Sequence, residues 1–499
     1  MKYIKFFLIV LLVTVSVKAS AKDYLSSYFG IPSDGLALST RSIQFAIDYI
    51  NREGGGRLVF HVGRYLTGTI HMRSNVELRL EEGAVLLGSL NPFDYESRKD
   101  PFMTSLIFAD SVENIGITGR GMIDGQGKQV AMNYIDVISK GLIKDKFRSG
   151  RPEVETRPMI IYFRNCRNIR IRNILLKNSA SWNQTYDQCR NLEVDSITVD
   201  NKDYWNEDGI DLVDCEGASV TNSFFDIADD GICLKSHDAK HFCNNIFIRN
   251  NTVRSSANAI KFGTVSRGGF KNIRIINNKV YDTYRSAIAL QAVDGGYVEN
   301  IEIDSLQVYN TGNVIFLRVG ERWGEKTSFM KGVAIRNVVA EVPAGKPDAG
   351  YSYEGPVEDL PRNVSPGIII TGLPNKKVSG VTISRITMRH AGGGNLLYAQ
   401  VSTSQLDSVP EIPAKYPEFS MFRELPAWGI YIRHAQDVNF SDISMTADKK
   451  DYRLPVVLDD VHGARFSSIR VKQPELQTVY YQYKSSGVVT DNGGKEMKK

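Results

Sequence analysis

The sequence predicts an all-β chain wound as a right-handed parallel β-helix, and three observations predict it. A motif recurs in which a small or polar residue precedes alternating apolar positions and then Asn or Asp. It reads "CRNIRIRNILLKN" from Cys166, "CRNLEVDSITVDN" from Cys189 and "CEGASVTNSFFDI" from Cys215. The early copies stand about 23 to 28 residues apart, too close for propeller blades of about 40 to 50. Each copy also holds period-2 runs broken by Asn, Gly or Asp, with no helical pattern between them, so strand follows strand through tight turns. One copy cannot bury its apolar face, whereas stacked copies share a continuous core. Asn at the turns tolerates left-handed backbone and can stack in hydrogen-bonded ladders.

The elements follow in order. Residues 1 to 21 read as a cleavable secretory signal: Lys2 and Lys5, then an apolar run from Phe6 to Val17, then Ala19-Ser20-Ala21. The run is too short to span a bilayer comfortably, and no later segment is apolar enough to cross one. A periplasmic or secreted protein is expected. Next, Ile43, Ala46, Ile47 and Ile50 show the i, i+3, i+4, i+7 spacing of a short amphipathic helix, stopped by Gly54 to Gly56. Such a helix would cap the open end of the solenoid. Coils begin at "RLVFHVGRYLTGTIHM" and fill one domain over residues 22 to 483. Insertions near 128–157, 342–366 and 391–428 break the rhythm and are expected as side loops walling a binding face. Residues 484 to 499 are expected as a flexible tail.

Removing residues 1 to 21 takes away Lys2, Lys5 and Lys18 and no acid, so the formal charge falls from +5 to +2. That balance gives no support to a nucleic-acid partner. No glycine-rich loop joins a strand to a helix, so no nucleotide site is expected. The five cysteines are odd in number and form no CxxC pair, which fits neither a disulfide framework nor a zinc site. They are expected as buried thiols. A monomer is expected.

Aligning "NEDGIDL", "ADDGICL", "SANAIKF", "YRSAIAL" and "TGNVIFL" stacks Asp208, Asp230, Asn258, Ser286 and Asn313 in one column. Ile210, Ile232, Ile260, Ile288 and Ile315 form an inward column, with Asp211, Cys233, Lys261, Ala289 and Phe316 pointing outward. Neighbouring coils lie about 4.8 Å apart. Two unit charges at that separation repel by about 3 to 4 kcal/mol at an effective dielectric near 20, a large share of a typical stability of roughly 5 to 15 kcal/mol. Asparagine would avoid the cost, yet Asp208, Asp211, Asp229 and Asp230 crowd two coils. The crowding makes sense if some carry a proton and others are ionised, as acid–base cleavage of a glycosidic bond requires.

At these residues the chain resembles glycoside hydrolase family 28, the polygalacturonase and rhamnogalacturonan-hydrolase group, which implies the pectin-lyase-like solenoid. The family's Asn-x-Asp-Gly-x-Asp motif matches Asn206, Asp208 and Asp211, with Glu207 at the variable place, and its Asp-Asp pair matches Asp229 and Asp230. "FGIPSDG", "INREGGGRLVFHVGRYLTGTIHMRSNVEL", "RPMIIYFRNCRNIRI" and "NSASWNQT" extend the likeness. The resemblance implies hydrolysis of an α-linked, pectic polysaccharide or oligosaccharide with inversion, needing no cofactor and no metal. Asp229 would be the general acid, and Asp208 and Asp230 would hold and deprotonate the attacking water.

Two family motifs are missing. Ala257-Asn258-Ala259 replaces a Gly-His-Gly, and Ala289-Leu290-Gln291 replaces the Arg-x-Lys that grips a galacturonate carboxylate. Substrate contacts are therefore expected from Asn206, Asp211, His237, Asn258, Lys261, Gln291 and Arg318. Arg285 and Arg322 flank the same face, and Trp182, Trp205, Tyr284 and Trp323 are candidate sugar platforms. Two further readings are open on these residues. One is a calcium-dependent polysaccharide lyase with Lys261 as base; the other is a non-catalytic carbohydrate-binding β-helix protein.

Overall fold

The structure is a computed structural model of the chain. It describes residues 22–96, 103–147, 150–323, 328–347, 365–394, 396–398, 401–476 and 478–491. The signal segment expected over residues 1–21, most of the insertion at 342–366 and the last tail residues, 492–499, lie outside the described residues.

Among the described residues, strands stack coil upon coil into one parallel sheet of 31 strands, which is a parallel β-helix. The early coils each contribute three short strands, such as Gln184–Asp187, Arg190–Asp195 and Thr198–Asn201. The coil after them repeats the pattern with Ile210–Val213, Glu216–Thr221 and Phe224–Ile227. The register is the one the aligned motifs require. Ile210 pairs with Ile232, then Ile260, Ile288 and Ile315, and the column runs on through Ile368, Ile430 and Val456. All are fully buried. A one-residue slip would turn this column to solvent, which fixes the pairing.

Turns are held by asparagine ladders. Asn75, Asn114, Asn168 and Asn191 all have φ between 53° and 63°. The last three each donate Nδ2 to the Oδ1 of the residue one coil back, from Asn114 to Asn75 at 2.8 Å, Asn168 to Asn114 at 2.9 Å and Asn191 to Asn168 at 3.1 Å. All five cysteines are free and buried. Cys166, Cys189, Cys215 and Cys243 follow one another at a single turn, each successive coil donating to the carbonyl of the cysteine before it.

Helix α1 (Thr40–Arg52) buries Ile43, Ala46, Ile47 and Ile50, the four residues that the sequence spacing picks out. Gly55 ends it with φ 113°, where a Cβ would come within 2.6 Å of the Asn75 carbonyl oxygen. Two expectations need correction. The insertion at 128–157 begins as a true helix, α2 (Gly127–Ser139), which buries Val130, Ala131, Tyr134 and Val137. The tail does not fray at Lys484: Val489–Thr490 forms a strand in register with Arg465 and Phe466, because the last coil still offers open backbone groups. Among the described residues, no helix is long and apolar enough to cross a membrane.

The outward row of Asp211, Cys233 and Lys261 continues as Ala289, Phe316, Ile369 and Tyr431. From Ala289 onward this row is covered. Leu406, Val409, Phe419, Met421, Phe422 and Leu425, from the insertion at 391–428, pack on it as a second apolar core. That insertion therefore buries one half of the face and leaves the acidic coils beside its edge.

Candidate active site

The acids meet where the uncovered half of the face ends. Gly209 N donates to the Asp230 carbonyl at 2.9 Å, locking the two Asp-Gly turns one coil apart. One carboxylate oxygen of Asp208, one of Asp230 and the Cys233 Sγ all lie within 4.8 Å of one another. The stacking brings Asp208 and Asp230 into a shared cluster, with Asp211 and Asp229 at its sides.

Lysines hold the cluster together. Lys235 Nζ donates to Asp208 Oδ2 at 2.8 Å, to Asp211 Oδ1 and to Cys233 Sγ at 3.3 Å. It lies 4.2 Å from the centre of the Trp182 ring. One coil on, Lys261 Nζ donates to Asp230 Oδ2 at 2.8 Å, to the Tyr416 hydroxyl at 3.1 Å and to Glu418 Oε1 at 3.4 Å. Asn258 gives Asp230 Oδ1 two more bonds, from its backbone N at 3.1 Å and its Nδ2 at 2.8 Å.

These partners separate the acids electrically. Burial pushes Asp229 up, and the charges of Asp208 and Asp230 add to that, reaching about 7 despite Arg285 and Lys261. Burial also pushes Asp230 up, but Lys261 and Arg285 outweigh it and bring it down to about 2. Burial raises Asp208 well above the usual carboxylate range and raises Asp211 as well, with Lys235 opposing in both. One carboxyl is thus displaced down and its neighbours up, the asymmetry that an acid–base pair needs.

Several residues expected to bind substrate are engaged with the protein itself. Lys261 is only 1% exposed. Arg318 is buried and donates to the carbonyls of Gly372 at 3.0 Å and Glu411 at 2.8 Å. Gln291 donates to the Pro417 carbonyl at 2.9 Å. Asn206, at φ 57°, accepts from Arg157 Nη2 at 2.9 Å. Asp211 is fully buried against Lys235. His237 is exposed and lines a cavity of 530 Å³ with Trp182, Tyr162, Thr185, Arg164 and Asp187. Of the other aromatics, Tyr284 is buried, whereas Trp323 is exposed.

Lys235, Glu418 and Tyr416 escaped the sequence reading. Lys235 sits two places after Cys233, on the strand whose outward direction the alignment gives, so it was findable. Glu418 and Tyr416 arrive from an insertion with no repeat register, and nothing local marks them. Glu207 is also fully buried, and burial holds it well above the usual carboxylate range against the backbone N–H groups of Tyr204 and Asp203.

The lyase reading fits this donor set poorly. Calcium wants about six to eight oxygens, whereas Asp208 and Asp211 already share the Lys235 ammonium and Asp230 holds that of Lys261. Lys261 cannot serve as a free base either. Burial pulls its ammonium down, but Asp230, Tyr416 and Glu418 more than offset this and hold it protonated.

The family model described as Glycosyl hydrolases family 28 matches residues 60–346. A probable polygalacturonase from Vitis vinifera is 28% identical over 271 residues, covering 49% of this chain and 52% of the relative. An exo-poly-alpha-D-galacturonosidase from Dickeya chrysanthemi is 24% identical over 313 residues, covering 54% and 52%. The chain thus spans about half the length of the curated relatives it matches. Among solved structures, the family 28 exopolygalacturonase of Yersinia enterocolitica shares the fold at a TM-score of 0.59 and 19% identity, over 94% of this chain and 78% of that one. With a match across more than half of its length and the Asp-Gly turns inside that match, the chain belongs to glycoside hydrolase family 28.

Proposed function

We propose that this chain is an exported glycoside hydrolase that cleaves an α-glycosidic bond in a pectic polysaccharide or oligosaccharide, with inversion and without a cofactor. Asp229 protonates the leaving oxygen, and Asp230 takes the proton of the attacking water. Asp208, held by Lys235, positions that water. The observation that carries this reading is the opposite displacement of two adjacent carboxyls, Asp229 up to about 7 and Asp230 down to about 2. An inverting hydrolase needs one carboxyl that keeps its proton and one that has lost it. Export rests on the N-terminal signal segment.

In this reading Trp182 and His237 face the sugar. Asp211, Asn258 and Lys261 act on the acids, and Asn206, Gln291 and Arg318 brace the walls. A screen of pectic fragments, comparing wild type with Asp229→Asn and Asp230→Asn, tests the assignment. New reducing ends without an unsaturated chromophore are expected from wild type, and the first-formed anomer seen by proton NMR is expected to be inverted. Full turnover by both variants would show that the acids play no part.

A further inference from the structure

Lys261 and Arg285 form the cationic edge of the acidic cluster, and that edge is already filled. Glu418, carried in by the insertion at 391–428, accepts from Arg285 Nη1 at 2.6 Å and from Lys261 Nζ at 3.4 Å through Oε1. Its Oε2 accepts from Asn258 Nδ2 at 3.3 Å. Glu418 and Arg285 are each 6% exposed. The carboxylate is fixed in place by its own segment, since Gln291 holds the Pro417 carbonyl and Phe419, Met421 and Phe422 sit in the second apolar core.

Charge counting around the cluster gives the consequence. On the covered side, Lys261 and Arg285 are balanced by Asp230 and Glu418. On the open side, the cavity's cations Arg164 and Lys146 lie 3.4 Å from Asp187 and 3.7 Å from Glu153. Glu155 and Asp238 line the same cavity. Arg267, the next cation toward His237, is exposed and does not line it. Among the described residues lining either side, each cation thus has a carboxylate within ion-pair distance. Among the described residues lining either side, none is placed to neutralise the charge a sugar carboxylate would add, whereas a neutral sugar meets no such obstacle.

We propose that Glu418 is a specificity-determining residue: its carboxylate occupies Lys261 and Arg285 in place of a sugar carboxylate, so the unit bound beside the cleaved bond is an uncharged glycosyl residue rather than a uronate. The proposal rests on reading the cluster as a hydrolytic site. It deepens that reading by naming the charge class of the sugar.

Two probes differing only in charge test it: an α-linked oligogalacturonate, and the same oligomer with its carboxyls reduced to hydroxymethyl groups. Wild type is expected to favour the neutral oligomer at least tenfold in kcat/KM, mostly through KM. Glu418→Gln, checked for unchanged melting, is expected to cut that preference at least tenfold by freeing a cation for the uronate. Glu418→Asp keeps the charge and is expected to retain most of the preference. A wild type that favours the charged oligomer, or a Glu418→Gln variant with an unmoved ratio, would overturn the proposal. If neither oligomer is cleaved, calorimetric binding of the two oligomers still reports the charge preference, and the pectic-fragment screen decides the hydrolytic reading separately. Equal or absent binding of both would overturn the proposal as well.

Discussion

Asn258 stands one coil above Asp230 and gives both its backbone N and its Nδ2 to the same carboxylate oxygen, at 3.1 and 2.8 Å. This pair of donors stabilises the ionised form of Asp230. Asn258→Ala removes the side-chain donor and keeps the backbone one. A hydrogen bond to a charged group contributes about 1.5 to 3 kcal/mol, so Asp230 should titrate roughly one unit higher or more. Activity near neutral pH should change little. The acid limb of the pH–rate profile should move up by about one unit, and an unshifted limb would separate Asp230 from the base role.

Asp229 governs the other limb. Cleavage needs Asp230 bare and Asp229 protonated, so activity is expected between about 2 and about 7 and should fall as pH rises through 7. The sign for stability follows from the same shift. The folded-state value is raised above the ordinary 3.8, so the proton on Asp229 favours folding below 3.8, and that contribution is lost as pH rises toward 7. Asp229→Asn should therefore be inactive yet more stable than wild type at pH 8, by on the order of 1 to 3 kcal/mol, allowing for partial exposure. At pH 3 the two should melt together. Thermal scans at both pH values check this.

Lys235 is the only ammonium within reach of Asp208 and Asp211 among the described hydrogen bonds. Lys235→Met would leave two buried carboxyls without it. Breaking a buried pair this way costs about 3 to 5 kcal/mol, and the denaturation midpoint should fall accordingly. Adding Asp211→Asn removes one stranded acid, so the double variant should regain part of the loss. A double variant no more stable than Lys235→Met would mean the ammonium is not holding Asp211.

The coil register was readable because the isoleucine column has one solution: Ile210 to Ile315 share a face only if Asp208 overlies Asp230. The capping helix was readable for the same reason, since Ile43, Ala46, Ile47 and Ile50 fix a helical period. Glu418 obeys no period. It reaches Asn258, Lys261 and Arg285 across more than 130 residues of chain, and only the folded insertion brings them together. Helix α2 was missed because Val130, Ala131, Tyr134 and Val137 lie inside an insertion that the repeat pattern marks as irregular. Arg318 and Gln291 were placed correctly in register, but their partners are backbone carbonyls, which no side-chain pattern announces.

The asparagine ladder carries the last prediction. Asn168 combines two requirements, a left-handed backbone at φ 55° and a side chain that both gives and receives a hydrogen bond. Alanine fails on both counts. An L-residue without a polar side chain costs about 1 to 2 kcal/mol in that conformation, and each lost bond adds about 0.5 to 1.5 kcal/mol, at the low end because the ladder faces solvent. Asn168→Ala should destabilise by roughly 2 to 4 kcal/mol. Glycine adopts the conformation freely, so Asn168→Gly should lose little beyond the two bonds and sit between alanine and wild type. Asn168→Asp keeps an acceptor toward Asn191 but turns two oxygens toward Asn114 Oδ1, so it should fall near alanine above pH 5 and recover as it gains a proton. Denaturant midpoints for the three variants at pH 4 and pH 7 give the order. An alanine variant as stable as glycine would show that the ladder, rather than the backbone conformation, accounts for the whole effect.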